Sequence, residues 1–313
     1  MSTNVKILYV MGEGRSGSTI LDIILGTHSD IIGVGELWSM LTENEKLTGQ
    51  CSCGKTVGEC EFWTSTKKKY INQLDKRTLE MVHNTRLKHD QLRRFPLKLA
   101  GFKGKGVERY NLDADLLYTT ISKVSGKSII VDSTKQIGRA FNILNSPSLD
   151  VYLIHLVRDG RGILRSRLRD LERTPTLQRP WWRKMPIFTM FAWTVKNFCA
   201  LLVGRTVPEK YLLVRYEDLT STPIAVFKMI EQFCQIDMKD ITQRFQNDLS
   251  FTTSHQIGGN QRAREKSQHI YLKADQEWMT MLSQWNRVLF WIGASYMGRK
   301  LGYSYYPFTK KNK

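Results

Sequence analysis

The chain has 313 residues, 41% of them hydrophobic, with 22 glycines and 8 prolines, the make-up of an ordinary globular protein with room for one large α/β domain. Its 47 lysines and arginines against 29 acids leave a net charge of +18, which favours anionic partners: a nucleotide, a sulfated or acidic glycan, nucleic acid or a membrane surface. Five cysteines make a disulfide framework the wrong default, no apolar run approaches the ~20 residues of a membrane span, and a first strand entered by Val5 leaves no room for a signal peptide, so a soluble cytoplasmic protein is expected.

Val5 to Met11 is a short apolar run of strand formers that stops at Gly12. Gly12, Gly14 and Gly17 then permit a tight loop, and Ile20, Leu21, Ile23, Ile24 and Leu25 begin a buried helix. Strand, glycine loop and helix point backbone N–H groups and a helix N-terminus at an anion. Gly12, Gly17 and Thr19 keep the spacing of the phosphate loop G-x-x-x-x-G-K-[ST], but Ser18 stands where its lysine belongs and Arg15 supplies a cation three residues earlier. Such a loop cradles one tetrahedral anion and lacks the usual grip on a triphosphate. Glycines kept only for close packing are the plainer reading.

Ile31 to Gly35 reads as a second strand leading to Glu36. A carboxylate at the C-terminal end of a strand lies on the edge where open α/β sheets bind ligands, so Glu36 is the first candidate for a general base, with His28 and His255 as alternatives. Cys51, Cys53 and Cys60 cluster ahead of Phe62-Trp63; zinc wants a fourth ligand, the nearest histidines in sequence are His28 and His83, and packed reduced thiols are the reading adopted. Residues 64–93 have the spacing of one amphipathic surface stretch, with apolar points at Tyr70, Leu74, Leu79, Val82 and Leu87, and Pro96 to Gly106 reads as a mobile basic loop.

A helix over 112–124 precedes a strand ending in Asp132, then Ser133-Thr134-Lys135. An apolar strand closed by aspartate also suits the magnesium-holding strand of a nucleotide triphosphatase, which keeps a kinase reading open. Val151 to Val157 is the next strand, with His155 as a core histidine. It runs into Arg158-Asp159-Gly160-Arg161-Gly162 and a helix carrying Ser166, and a guanidinium fork at Arg158 can share one phosphate with that hydroxyl.

Residues 171–204 combine three prolines, Trp181-Trp182 and an apolar helix from about 187 to 203, an arrangement suited to core, lid or membrane-touching surface. A strand over 211–214 ends in Arg215-Tyr216-Glu217-Asp218-Leu219, and a helix runs from Pro223 to about Phe233. A polar, glycine-containing loop covers 254–262, within a second possible lid at 250–275, and one helix is expected from Gln276 to Lys300, packing Trp278, Leu282, Trp285, Leu289 and Ile292. With no linker or repeat, the expected fold is α/β: a P-loop-type central parallel sheet flanked by helices, one domain over 1–313.

Together these segments resemble the sulfotransferases that use 3′-phosphoadenosine 5′-phosphosulfate (PAPS). Arg15-Ser16-Gly17-Ser18-Thr19 resembles that family's 5′-phosphosulfate loop, and His155 to Arg161 with Ser166 resembles its 3′-phosphate motif, more than 140 residues downstream. Val214 to Leu219 matches a recurrent family pattern. The similarity spans nearly the whole chain and is nearest the tyrosyl-protein, carbohydrate and bacterial branches. It implies that Gly14 through Thr19 hold the 5′-phosphosulfate, that Arg158 and Ser166 bind the 3′-phosphate, and that Tyr216 touches the nucleotide. A loop carrying Asn260 and Arg262 would close over it.

Gly35-Glu36 resembles the glycine–glutamate in which tyrosyl sulfotransferases keep their catalytic base, and Lys135 falls where that branch has a cation. The tyrosyl branch places a second arginine four residues after the serine; here that position is Asp170, which leaves Arg167 or Arg169 for the contact. The implied reaction is in-line sulfuryl transfer to an acceptor hydroxyl of a glycan or small molecule, releasing adenosine 3′,5′-bisphosphate, without a metal. Arg15 and Lys135 would offset charge. A small-molecule kinase, and a non-catalytic basic protein on glycan or anionic membrane, are the other readings; no nucleic-acid partner is expected.

Overall fold

A strand buried on both faces reads as an unbroken apolar run, and β1 (Val5–Met11) is such a strand: Ile7 to Met11 have no exposed surface. In the computed structural model, which describes residues 5–37, 49–101, 104–173, 185–260, 272 and 274–306, β1 is the middle of five parallel strands. The others are β2 (Ile31–Gly35), β3 (Ile129–Lys135), β4 (Leu149–Val157) and β5 (Tyr211–Arg215), in the order β2-β3-β1-β4-β5.

The helices in chain order are α1 (Ser18–Leu25), α2 (Glu61–Ile71), α3 (Leu79–His89), α4 (Phe95–Leu99), α5 (Val107–Ser125), α6 (Ile137–Ile143) and α7 (Gly160–Arg173). They continue with α8 (Pro186–Thr206), α9 (Tyr216–Ser221), α10 (Pro223–Cys234), α11 (Lys239–Gln246), α12 (Trp278–Met281) and α13 (Gln284–Lys300). Side chains alternate across a strand, and β1 divides its residues accordingly. Ile7, Tyr9 and Met11 pack with α5, α6 and α8 through Leu117, Tyr118, Ala140 and Val203. Leu8 and Val10 pack on the other face with Leu21 and Ile24 of α1 and Phe227 and Ile230 of α10.

The expected parallel sheet and its five strands are present, and four segments differ from expectation. Residues 64–93 form two helices, α2 and α3, because the chain turns through positive φ at Asp75 (42°) and Lys76 (57°); Leu87, expected to pack, is exposed. Pro96 to Leu99, expected as the start of a loop, belong to a helix, α4, whose first residue Phe95 is buried. The last helix is two, broken at Leu282, with Ser283 capping α13 by accepting from the Asn286 amide. That restart turns a different face inward: Phe290, Ala294 and Met297 are buried, whereas Trp285 and Ile292 face solvent.

Finally, α8 is long and apolar enough, by length and composition, to cross a membrane, which corrects the expectation that no such run exists. Here its buried side, Trp193, Asn197, Ala200 and Val203, packs toward β4 and α13, and its other side leaves Phe191 and Phe198 exposed. Residues 174–184, with Trp181-Trp182, lie outside the described residues.

One buried acid ties α1 to the end of β2. Asp22 has no exposed surface and accepts the Gly35 amide at 3.0 Å. Gly33 allows the approach, since a Cβ there would stand 2.3 Å from Asp22 Oδ1. Burial raises the Asp22 pKa to about 7, against hydrogen bonds from Ser133 and Gly35 that pull it down. A folded-state pKa above the unfolded value means the folded protein binds the extra proton. Stability from this group is therefore full below about pH 4 and lost as pH rises through about 7. The slope contributed there is at most about 1.4 kcal/mol per pH unit. Asp22→Asn keeps the shape and removes the titration; denaturant unfolding of the variant between pH 5 and 8 is expected to lose this component of the wild-type slope, and an unchanged slope would contradict the assignment.

Candidate active site

The glycine loop is shaped by what presses against it. At Gly12 (φ 140°) a Cβ would lie 2.5 Å from the Leu156 carbonyl of β4, and at Gly17 (φ 96°) it would lie 2.6 Å from the Tyr216 ring. Only glycine fits such approaches at positive φ. Arg15 itself takes φ 73°, and its guanidinium pairs with Asp170 of α7. Glu13 braces the loop from beneath, accepting from the Gly14 amide (3.0 Å), while the Glu13 carbonyl accepts from Ser16 Oγ (2.8 Å). Ser16, expected among the anion donors, thus spends its hydroxyl inside the loop. Helix α1 then begins at Ser18 with neither a capping side chain nor an acid in its first turn, so its N-terminal N–H groups and dipole are available to an anion.

Glu36 and Lys135 meet over the ends of β2 and β3. Both strands carry a register shift next to this point, at Gly33/Gly35 and at Tyr9/Met11 of the neighbouring β1, the kind of irregularity that re-aims a strand's last residues. Lys135 takes φ 71°, and its ammonium donates to the Ser133 carbonyl at 3.0 Å and pairs with Glu36 Oε1. Beneath it Asp132 is sealed, accepting from Tyr118 Oη (2.6 Å) and the Thr134 amide (2.9 Å) beside the buried Arg139. That carboxylate faces the core, which removes the magnesium-holding role the kinase reading required.

Glu36 is also fixed from the far end of the chain. Its amide donates to the Ile257 carbonyl at 2.6 Å, and the Ile257 amide donates to Val34 O at 3.1 Å, a parallel bridge that extends the sheet edge. The Asn260 amide donates to Thr19 Oγ1 at 3.1 Å. A Cβ at Gly259 would stand 2.7 Å from Thr19 Oγ1 and 3.7 Å from Glu36 Oε1, so the loop hydroxyl and the carboxylate converge on one spot.

On the other side of the loop, Arg158 is 5% exposed. It donates to the Arg15 carbonyl at 3.1 Å and lies 4.5 Å above the Tyr216 ring. Its guanidinium also pairs with Asp275 Oδ2 at 3.2 Å, and Arg169 reaches the same oxygen at 3.1 Å. The Asp275 amide donates to Tyr216 Oη. Burial pushes the Asp275 carboxyl upward, but Arg158 and Arg169 outweigh it and hold the group below the usual carboxylate range.

These residues line one cleft of roughly 380 Å³, which brings together Gly14, Arg15, Gly17, Ser18, Thr19, Glu36, Lys135, Arg158, Ser166, Tyr216 and Asn260. Arg262 lies outside the described residues. Of the two arginines that stood in for the residue at Asp170, Arg169 lines the cleft, whereas Arg167 pairs with Glu13; Asp170 is the partner of Arg15. Neither alternative base is here. His28 shares its Nε2 with the Asp237 carbonyl, and His255 stands against Cys51 and Cys60. His155 is a core residue, between Tyr211 Oη (2.7 Å) and Asn197 Oδ1 (2.9 Å), with burial lowering its pKa to about 4. Sequence reasoning missed Asp275, which belongs to no motif and is recognisable only by the two arginines that surround it.

The sequence matches the family described as "Sulfotransferase family" over residues 8–240. Carbohydrate sulfotransferase 1 of Rattus norvegicus is 31% identical over 113 residues, 33% of this chain and 28% of the relative. The Danio rerio protein of that name is 31% identical over 107 residues, 31% of this chain and 26% of its own length. The chain therefore spans only about a quarter of these relatives. Among solved structures, a sulfotransferase domain from the curacin biosynthetic pathway superposes with a TM-score of 0.52 at 17% identity, covering 96% of this chain and 98% of that one. Sulfotransferase STF9 from Mycobacterium avium gives 0.51 at 11%, covering 97% and 78%; at these identities the likeness shows the fold. By the family match over most of its length, with the phosphate loop, Arg158 and Ser166 inside that match, this chain belongs to the sulfotransferase family.

Proposed function

We propose that the cleft takes PAPS as donor and passes its sulfuryl group to a hydroxyl of a glycan or small molecule, leaving adenosine 3′,5′-bisphosphate. The observation that carries this reading is Arg158 and Arg169 gripping one carboxylate, Asp275, beside Ser166 in the cleft that also holds the glycine loop. A fork of donors already holding an internal anion fits a phosphate that takes its place. The bound donor supplies a sulfuryl group on a phosphate that departs readily as an anion.

The chain's own residues then have distinct tasks. The loop amides, Ser18 and Thr19 at the start of α1 hold the 5′-side oxygens, and Arg158, Ser166 and Arg169 hold the 3′-phosphate. Tyr216, stacked under Arg158, offers an aromatic edge to the nucleotide. Glu36 takes the proton from the acceptor hydroxyl as its oxygen bonds to sulfur and the bond to the 5′-phosphate oxygen breaks. Arg15 and Lys135 stabilise the charge gathering on the sulfuryl and leaving oxygens, as in phosphoryl transfer, where positioning and electrostatics do most of the catalysis. An acceptor carbohydrate is favoured by the names of the sequence relatives.

Two substitutions test the roles. Glu36→Gln is expected to lower kcat by ~10²–10⁴, read as adenosine 3′,5′-bisphosphate formed with a panel of acceptors, while leaving donor affinity intact; full turnover would remove Glu36 as the base. Arg158→Lys keeps the charge and loses the fork. Its donor KM is expected to rise by about tenfold or more, the scale of a charge-assisted hydrogen bond of ~1.5–3 kcal/mol, and an unchanged KM would contradict the 3′-phosphate assignment.

A further inference from the structure

The sequence leaves Cys51, Cys53 and Cys60 one ligand short of a metal site, and the fold supplies it. His255, nearly 200 residues downstream, places its Nδ1 3.3 Å from Cys60 Sγ and 3.7 Å from Cys51 Sγ. The three sulfurs and this imidazole all offer ligand atoms within 4.8 Å of one another. A tetrahedral zinc with bonds of about 2.3 Å to sulfur and about 2.0–2.1 Å to nitrogen has S···N edges of about 3.6 Å, which these two separations bracket. We propose that Cys51, Cys53, Cys60 and His255 bind one structural zinc ion, which replaces the reading of these cysteines as packed thiols.

The surroundings are built for it. Residues 51–55 fold back on themselves, the Cys51 amide donating to Lys55 O (2.9 Å) and the Gly54 amide to Cys51 O (3.0 Å), with Gly54 at φ 88°. This turn lets two cysteines separated by a single residue present sulfur to one centre. Cys60 is the N-cap of α2, so the start of that helix fixes where its sulfur stands relative to the 51–55 turn. The ring and backbone of His255 are held by their neighbours. Phe62 stacks on the imidazole at 4.8 Å and 12°, and Trp63 Nε1 donates to the His255 carbonyl at 2.8 Å. Four protein ligands close the coordination sphere, which marks a structural rather than a catalytic ion.

The position gives the ion a purpose. His255 is two residues before Ile257, whose carbonyl holds the Glu36 amide, and five before Asn260, whose amide holds Thr19. Ser52 already donates to the Gln256 carbonyl through both its amide and its hydroxyl, each at 3.0 Å. A metal across 51–60 and 255 clamps the segment that forms one wall of the catalytic cleft.

The test is metal content of the full-length protein purified under reducing conditions from zinc-supplemented cells. About one zinc per chain is expected, and cobalt exchanged into the site should give the visible bands of a tetrahedral thiolate complex. Cys53 is exposed, so Cys53→Ser is the variant least able to disturb the core. It should lose most of the zinc while keeping the wild-type circular dichroism, and His255→Asn should do the same. Chelation should lower the Tm of the wild type and raise amide exchange across 254–260. A metal-free wild type that does not take up added zinc, a mass showing two of these cysteines oxidised to a disulfide, or full zinc retention in Cys53→Ser would each overturn the proposal.

Discussion

Parallel pairing of β3, β1 and β4 is the constraint on which the site depends. All three strands end at the same edge, so Met11 is paired with Lys135 on one side and His155 on the other. The glycine loop, Lys135 and Arg158 follow directly, and residues more than a hundred positions apart in sequence become neighbours without any long-range side-chain bond being needed. The edge is rigid because β1 is buried on both faces; replacing one of its large apolar residues by alanine would be felt at about 2–5 kcal/mol. Close backbone approaches at Gly12 and Gly17 then fix the loop against β4 and Tyr216.

Charge in the cleft is paired. Arg15 has Asp170, Lys135 has Glu36, and Arg158 and Arg169 share Asp275. An anion entering this cleft competes with internal carboxylates, so tight binding requires several contacts made together. A ligand that presents phosphate at two well-separated points satisfies that condition, and a single small anion does not. Discrimination by displaced internal partners is a form of specificity against incomplete ligands. The overall charge of +18 adds attraction at a distance, and the cleft's own pairs decide what stays.

Most of the sheet was legible because each strand is an apolar run that stops at glycine or at a charged residue, and several residues that share the cleft could be picked out because they follow those stops. What the sequence hid is instructive. The break between α2 and α3 falls at Asp75 and Lys76 in left-handed conformations, with neither proline nor glycine to announce it. The break before α13 rests on a single serine cap at Ser283. Asp275 and His255 belong to no local motif; each gains its meaning from partners brought in by the sheet, and only three-dimensional packing reveals them. The buried Asp22, which no motif marks, is the same case.

The central claim is that the cleft recognises a nucleotide by its 3′-phosphate as well as its 5′ end. Calorimetric titration of the protein with adenosine 3′,5′-bisphosphate and with adenosine 5′-monophosphate, in the absence of added metal, tests this most directly. The account predicts saturable binding of the bisphosphate at one site per chain, at least about tenfold tighter than the monophosphate, the scale of one charge-assisted contact. Equal affinity for the two, or binding confined to magnesium–ATP, would contradict it.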